Sequence, residues 1–123
     1  MNKLYDWKVF VKTVSEANSS EHWSKKHKRH SLQKKAISWK WLEEKPFIKK
    51  PCRIRISRIS PRVLDVGDNL PMSMKYIRDT IADKINPGLA IGRADDDPDI
   101  KWDYAQERGA PKEYAVRIEI FTV

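Results

Sequence analysis

Apolar side chains change their spacing several times along the chain, and each change marks an element. Trp7 to Val14 alternates, with Trp7, Val9 and Val11 on one side, which predicts a strand. Ser15 to Ser20 reads as a loop ending in a helix cap. Either Ser19 or Ser20 can accept the free N–H groups of a first turn that contains Glu21 and His22. A helix is expected from about Ser20 to Glu44, with Ser31 as its candidate break. Trp23 is the one apolar anchor of its first half, whereas Leu32, Ala36, Ile37, Trp39, Trp41 and Leu42 supply a packed side to its second. After a linker bounded by Pro46 and Pro51, Cys52–Ser60 returns to a period of two, Ile54 and Ile56 inward, Arg53, Arg55 and Ser57 outward.

Asp65–Asn69 is a turn in which Asp68 or Asn69 caps a helix over Leu70–Ile85, with Pro71 tolerated in its first turn. Leu70, Met74, Ile77, Ile81 and Ile85 are its expected packed side. Asn86-Pro87-Gly88 stops it, and Leu89–Ala94 is a loop. Ile100–Gln106 is a strand, Arg108–Pro111 a turn, and Glu113–Val123 a return strand with Tyr114, Val116, Ile118 and Ile120 on one face. These last two strands are expected to pair as a terminal hairpin. The whole predicts one α+β domain over residues 1–123: a mixed sheet of about four strands flanked by two helices, in the order β-α-β-α-β-β.

Composition sharpens this picture mainly through charge. The net charge of +8 is unevenly spread: residues 1–60 carry 16 Lys/Arg against 5 Asp/Glu, and residues 61–123 carry 9 against 12. A basic half joined to an acidic half suits a protein that grips phosphates with one part and holds a cation with the other. No run approaches the roughly 20 apolar residues that span a bilayer, and the N-terminus lacks the pattern of an export signal. A lone Cys52 excludes an intrachain disulfide and suits a reducing cytoplasm; as a site it is an ordinary strand residue.

Candidate chemistry gathers between Asp65 and Asp99. Asp65 and Asp68 precede the second helix, and Lys75 and Asp79 share one side of it with Asp68. Asp95-Asp96-Asp97 follow it. Carboxylate oxygens without thiolates suit Mg²⁺ or Mn²⁺. Such a site cleaves phosphodiesters by activating water, with Lys75 acting on the developing charge. Read blandly, a lysine between two aspartates is a surface ion pair. The basic run Lys25, Lys26, Lys28 and Arg29 has only Glu21, four residues before Lys25, to offset it at helical spacing and suits phosphate contact. A strand face with Arg53 and Arg55 is either solvated or turned to an anion. His22, His27 and His30 lie among lysines with no nearby Cys, which argues against zinc. Phosphate-loop, dinucleotide, nucleophile-elbow and calcium-loop patterns are absent.

Taken together, Leu64-Asp65-x-x-Asp68-Asn69-Leu70, Lys75-x-x-x-Asp79, Asp95-Asp96, Asn18-x-x-x-His22-Trp23 and Trp102-x-Tyr104-x-Gln106 resemble the RusA-type Holliday junction resolvases of phages and prophages. The resemblance covers most of residues 7–121. It implies a homodimeric, Mg²⁺-dependent endodeoxyribonuclease (Mn²⁺ substituting) that cuts branched four-way DNA in the cytoplasm of a bacterial host, without a membrane partner. It further implies Asp65, Asp68, Asp95 and Asp96 as metal ligands, the choice within Asp95–Asp97 remaining open, and Lys75 with Asp68 as catalytic groups. The alternatives are a basic nucleic-acid-binding protein without cleavage and an RNA-processing nuclease.

Overall fold

The first alternating stretch forms a strand over Lys3–Val9 (β1) in the computed structural model of the protein, which describes residues 2–14, 23–64, 69–88 and 94–123. The expected cap at Ser19 or Ser20, the turn residues 65–68 and most of the expected loop, 89–93, lie outside the described residues. β1 ends five residues before the strand expected from sequence. Beyond it, side chains hold the backbone instead of a ladder. Arg58 Nε donates to Thr13 Oγ1 (3.1 Å) and Gln33 Nε2 to the Lys12 carbonyl (3.1 Å).

Helix α1 (Trp23–Glu44) runs through Ser31 without a break, about 33 Å long at 1.5 Å per residue. Strand β2 (Cys52–Ser60) follows. The second expected helix is two: α2 (Asn69–Ser73) and α3 (Lys75–Ile85). Pro71 offers no N–H, the Ser73 hydroxyl donates to the Leu70 carbonyl (2.7 Å), and the Met74 N–H bonds the Pro71 carbonyl at the tighter three-residue spacing (3.1 Å). A single 3₁₀ turn, Ala94–Asp96, leads to β3 (Ile100–Arg108) and then β4 (Ala115–Thr122). Among the described residues, four strands and three helices make a mixed-sheet α+β fold.

The strand order is β1-β4-β2-β3. This corrects the terminal hairpin: β3 and β4 are not neighbours. β2 lies between them, parallel to β3 from Cys52↔Ile100 to Ser60↔Arg108 and antiparallel to β4. Parallel neighbours need a crossover, and the helical segment between β2 and β3 supplies it. The link after β3 crosses the end of β2, where the Gly109 N–H bonds the Ser60 carbonyl (2.9 Å). A Cβ on Gly109 would stand 2.7 Å from Glu113 Oε1 and 3.1 Å from Ile59 Cγ2, so a side chain at this crossing would have to push both aside.

Side chains alternate across the sheet. On one face Trp7, Ile118, Ile56 and Tyr104 form a row across all four strands, and Tyr5, Ile120, Ile54 and Trp102 form the next. Ile37 of α1 and Met74, Ile77 and Ile81 beside and within α3 pack on this face and complete the core. Among the described residues the opposite face carries no helix, and it is laced with ion pairs. Lys3 meets Glu119 at 2.6 Å, Arg117 reaches Asp6 and Glu107, and Arg53 donates twice to Asp103 at 3.0 and 3.2 Å. No described helix is long and apolar enough to cross a membrane.

Candidate functional site

A cleft of about 340 Å³ opens where α1, α3 and the 3₁₀ turn meet. Its α3 wall is a stripe at four-residue spacing, Lys75, Asp79 and Asp83, because i, i+4 and i+8 stack on one side of a helix. Tyr76 and Thr80 form the adjoining floor; the Thr80 hydroxyl is committed to the Tyr76 carbonyl (2.8 Å). Lys34 enters from α1, and Ala94 and Asp95 close the far side. His30 of α1 stacks on Tyr76 with ring centres 3.6 Å apart, which fixes one helix against the other beside the opening.

Asp79 is the group that the environment disturbs most here. Burial holds its carboxyl above the ordinary range of 3.8; the neighbouring Asp95 and then Asp83 push the same way, against Lys75 and Arg78. The Asp95 carboxylate, sixteen positions away in sequence, is thus close enough to oppose the ionisation of Asp79. Arg78 answers the charge on Asp95: Nε lies 3.4 Å from Asp95 Oδ2, and Nη2 donates to the Asp95 carbonyl (3.3 Å). Its guanidinium also lies 4.9 Å above the Trp102 ring, and Nη1 donates to Tyr104 Oη (2.9 Å). Strand β3 therefore positions Asp95 through Arg78.

Asp97 does different work from its neighbours. Its carboxylate takes the Lys50 ammonium (2.7 Å), the Asn86 amide (3.0 Å) and the Asp99 N–H (2.9 Å). These bonds, the Lys50 one foremost, hold its pKa down at about 2. It fastens the end of α3 to the linker before β2, whereas Asp96 is exposed and outside the cleft wall. Of the acidic triplet, only Asp95 lines the cleft.

Asp65 and Asp68 lie outside the described residues, although the residue before them is anchored. The Gln106 amide makes two 2.6 Å hydrogen bonds with Leu64, one to its N–H and one to its carbonyl. Among the described residues no three His, Cys, Asp or Glu side chains assemble as a metal-holding group. The Asp79–Asp95 pair nevertheless fits Mg²⁺ in kind. That ion is commonly held by one or two carboxylates and keeps several waters, and it would relieve the repulsion that disturbs Asp79. Asp79 takes a part in the cleft that the sequence had not assigned it as a ligand. Its four-residue spacing from Lys75 was the available signal.

The basic residues separate into two faces. Lys25, Lys28 and Arg29 line a groove of about 240 Å³ with Val11, Lys12 and Leu32, near the start of α1; Lys26 belongs to the same helix turns and is half-buried. Arg53 and Arg55 stand on the uncovered face of the sheet, opposite the helix layer. There Arg53 is paired with Asp103, and Arg55 lies 5.3 Å over the Phe121 ring. The cleft shares the helix layer with the first group, not with the second. No protein-family model matches the chain, and no curated protein matches it.

Proposed function

We propose that the protein is a metal-dependent, structure-selective endodeoxyribonuclease of RusA type, acting on four-way DNA. The observation that carries the reading is the placement of Asp79 and Asp95 in one cleft with Lys75 and Lys34, where Asp95 opposes the ionisation of Asp79, on a strongly basic helix layer. Asp79 and Asp95 would hold Mg²⁺, with Asp65 and Asp68 as further ligands carried by the resemblance. The ion, when bound, lowers the pKa of a coordinated water and neutralises charge on the leaving oxygen. Lys75 and Lys34 contribute positive charge on either side of the opening, which favours a phosphate there over bulk anions. Lys75 is exposed and acts on charge that develops at the phosphorus-bound oxygens. Arg78, stacked on Trp102 and bonded to Tyr104, keeps the Asp95 turn in register with α3.

Incubating a synthetic four-way junction with the protein and Mg²⁺ tests this directly. Wild type is expected to nick the junction, and Asp79→Asn and Asp95→Asn each to lower the rate at least about 100-fold while keeping DNA affinity. A wild type that leaves the junction intact, or variants as active as wild type, ends the enzymatic reading. A second reading, DNA binding without cleavage, is favoured by one contact: Arg78 already neutralises Asp95. Calorimetric titration with Mn²⁺ separates the two, since a competent pair gives saturable heat that Asp79→Asn abolishes.

A further inference from the structure

Around the helix pair from the cleft lies a second concavity of about 220 Å³, formed by Lys35, Ser38, Trp39 and Leu42 of α1 and Lys84 of α3. Trp39, which its spacing placed on the packed side of α1 with Leu42, is instead 69% exposed and outside the core cluster. We infer that Trp39 is a stacking platform for an unpaired DNA base, with Lys35 and Lys84 holding the flanking phosphates.

Three observations select this occupant. First, the concavity pairs an exposed aromatic face and Leu42 with two ammonium groups, the combination used to bind single strands: bases stack while cations follow the backbone. Second, its two lysines disfavour a second copy of the chain. A two-fold contact through this face would oppose Lys35 and Lys84 to their own counterparts, whereas a polyanion is attracted to both. The nearest acidic groups on α1 are already engaged, Lys40 holding Glu44 at 3.2 Å and Glu43 at 3.9 Å. Third, the two sites adjoin. Lys34 lines the cleft and Lys35 the platform, as do Asp83 and Lys84 on α3, so a strand leaving the cleft meets the platform one step around the same two helices. The inference deepens the nuclease reading and rests on its DNA-binding half, not on cleavage. A branched junction offers unpaired bases at its crossover, and a platform for them would favour such DNA over a plain duplex.

The experiment compares binding of an oligothymidylate with an abasic strand of equal length, in fluorescence anisotropy, without divalent metal. Wild type is expected to prefer the base-bearing strand about tenfold. Trp39→Ala should bring the two affinities together, and Trp39→Phe should keep most of the preference. Lys35→Gln with Lys84→Gln should weaken both strands equally and flatten the salt dependence. Trp39 is exposed, so circular dichroism of the alanine variant should match wild type. A wild type blind to bases overturns the platform, as does a Trp39→Ala protein that retains the preference. So does a Trp39→Ala protein that only changes from dimer to monomer in sedimentation. A wild type that prefers bases without nicking junctions would sink the nuclease reading while supporting this one.

Discussion

Asp79 is held ionised at a cost to stability near neutrality, and its titration makes that cost measurable. Burial and the neighbouring Asp95 raise its carboxyl above 3.8, so the folded protein holds this proton more readily than the unfolded chain. Its favourable contribution is therefore present at acid pH and is lost as pH rises from 3.8 through the raised value. Near neutrality the ionised group costs stability. Asp79→Asn removes that charge, and its thermal midpoint should exceed that of wild type near pH 7, with the gap closing toward about pH 4. An unchanged midpoint near pH 7, or a gap that widens in acid, would show that the carboxylate is not strained by its surroundings. The same substitution abolishing nicking would mark a residue kept against the stability of its own fold. Asp97 is the opposite case, since Lys50, Asn86 and the Asp99 N–H all favour its ionised form. Adjacent letters in an acidic triplet thus have unrelated physical roles. Spacing alone left them equivalent, because only the surrounding segments distinguish them.

Among elements, β3 does most to organise the cleft. Its alternate residues Trp102, Tyr104 and Gln106 face the helices. The first two fix Arg78 and, through it, Asp95, while Gln106 clasps Leu64. Gln106→Ala removes both bonds to Leu64 and should cost about 1–2 kcal/mol in urea unfolding. Gln106→Glu, which keeps an acceptor for the Leu64 N–H, should lose less. Equal losses for the two variants, or none, would mean that this clasp carries no weight. The strand itself was legible from its alternation, and so were β2, β4 and α1, with the inner and outer residues of β2 and β4. On α1 the expected packed side held for Ile37, Ala36 and Trp41 but not for Leu32, Trp39 and Leu42, which are exposed. The pairing of β3 was not. A short turn between two alternating stretches suggests a hairpin whenever nothing else competes for their edges. Here β2 takes both partners: its backbone is central, with β3 on one edge and β4 on the other. The split at Met74 was equally hidden, since it depends on Ser73 turning its hydroxyl onto the Leu70 carbonyl.

At the scale of the molecule, the sheet separates two basic populations that a linear charge count adds together. Lys25 and Lys28 sit on the helix layer that also bears the cleft, whereas Arg53 and Arg55 belong to an uncovered face where charges of both signs interleave. DNA held at the cleft should therefore release counterions from the first population. Lys25→Gln with Lys28→Gln is expected to reduce the slope of log affinity against log salt by about 2, roughly one per phosphate contact. Arg55→Gln should leave that slope unchanged. The reverse result would move the DNA to the open face of the sheet, away from Asp79 and Asp95.

The amino-acid order by itself determined the kinds of element, most of the buried positions and the contrast between a basic first half and an acidic second. Those properties follow from periodicity and composition, which act over a few residues or need no geometry at all. Tertiary structure alone decided that β2 separates β3 from β4, that Asp79 meets Asp95 while Asp97 turns to Lys50, and that Lys34 joins the cleft while Arg53 faces away from it. Such choices depend on which distant segments win each strand edge and each charge. Because that competition is settled across the whole chain, local spacing carries no record of its outcome.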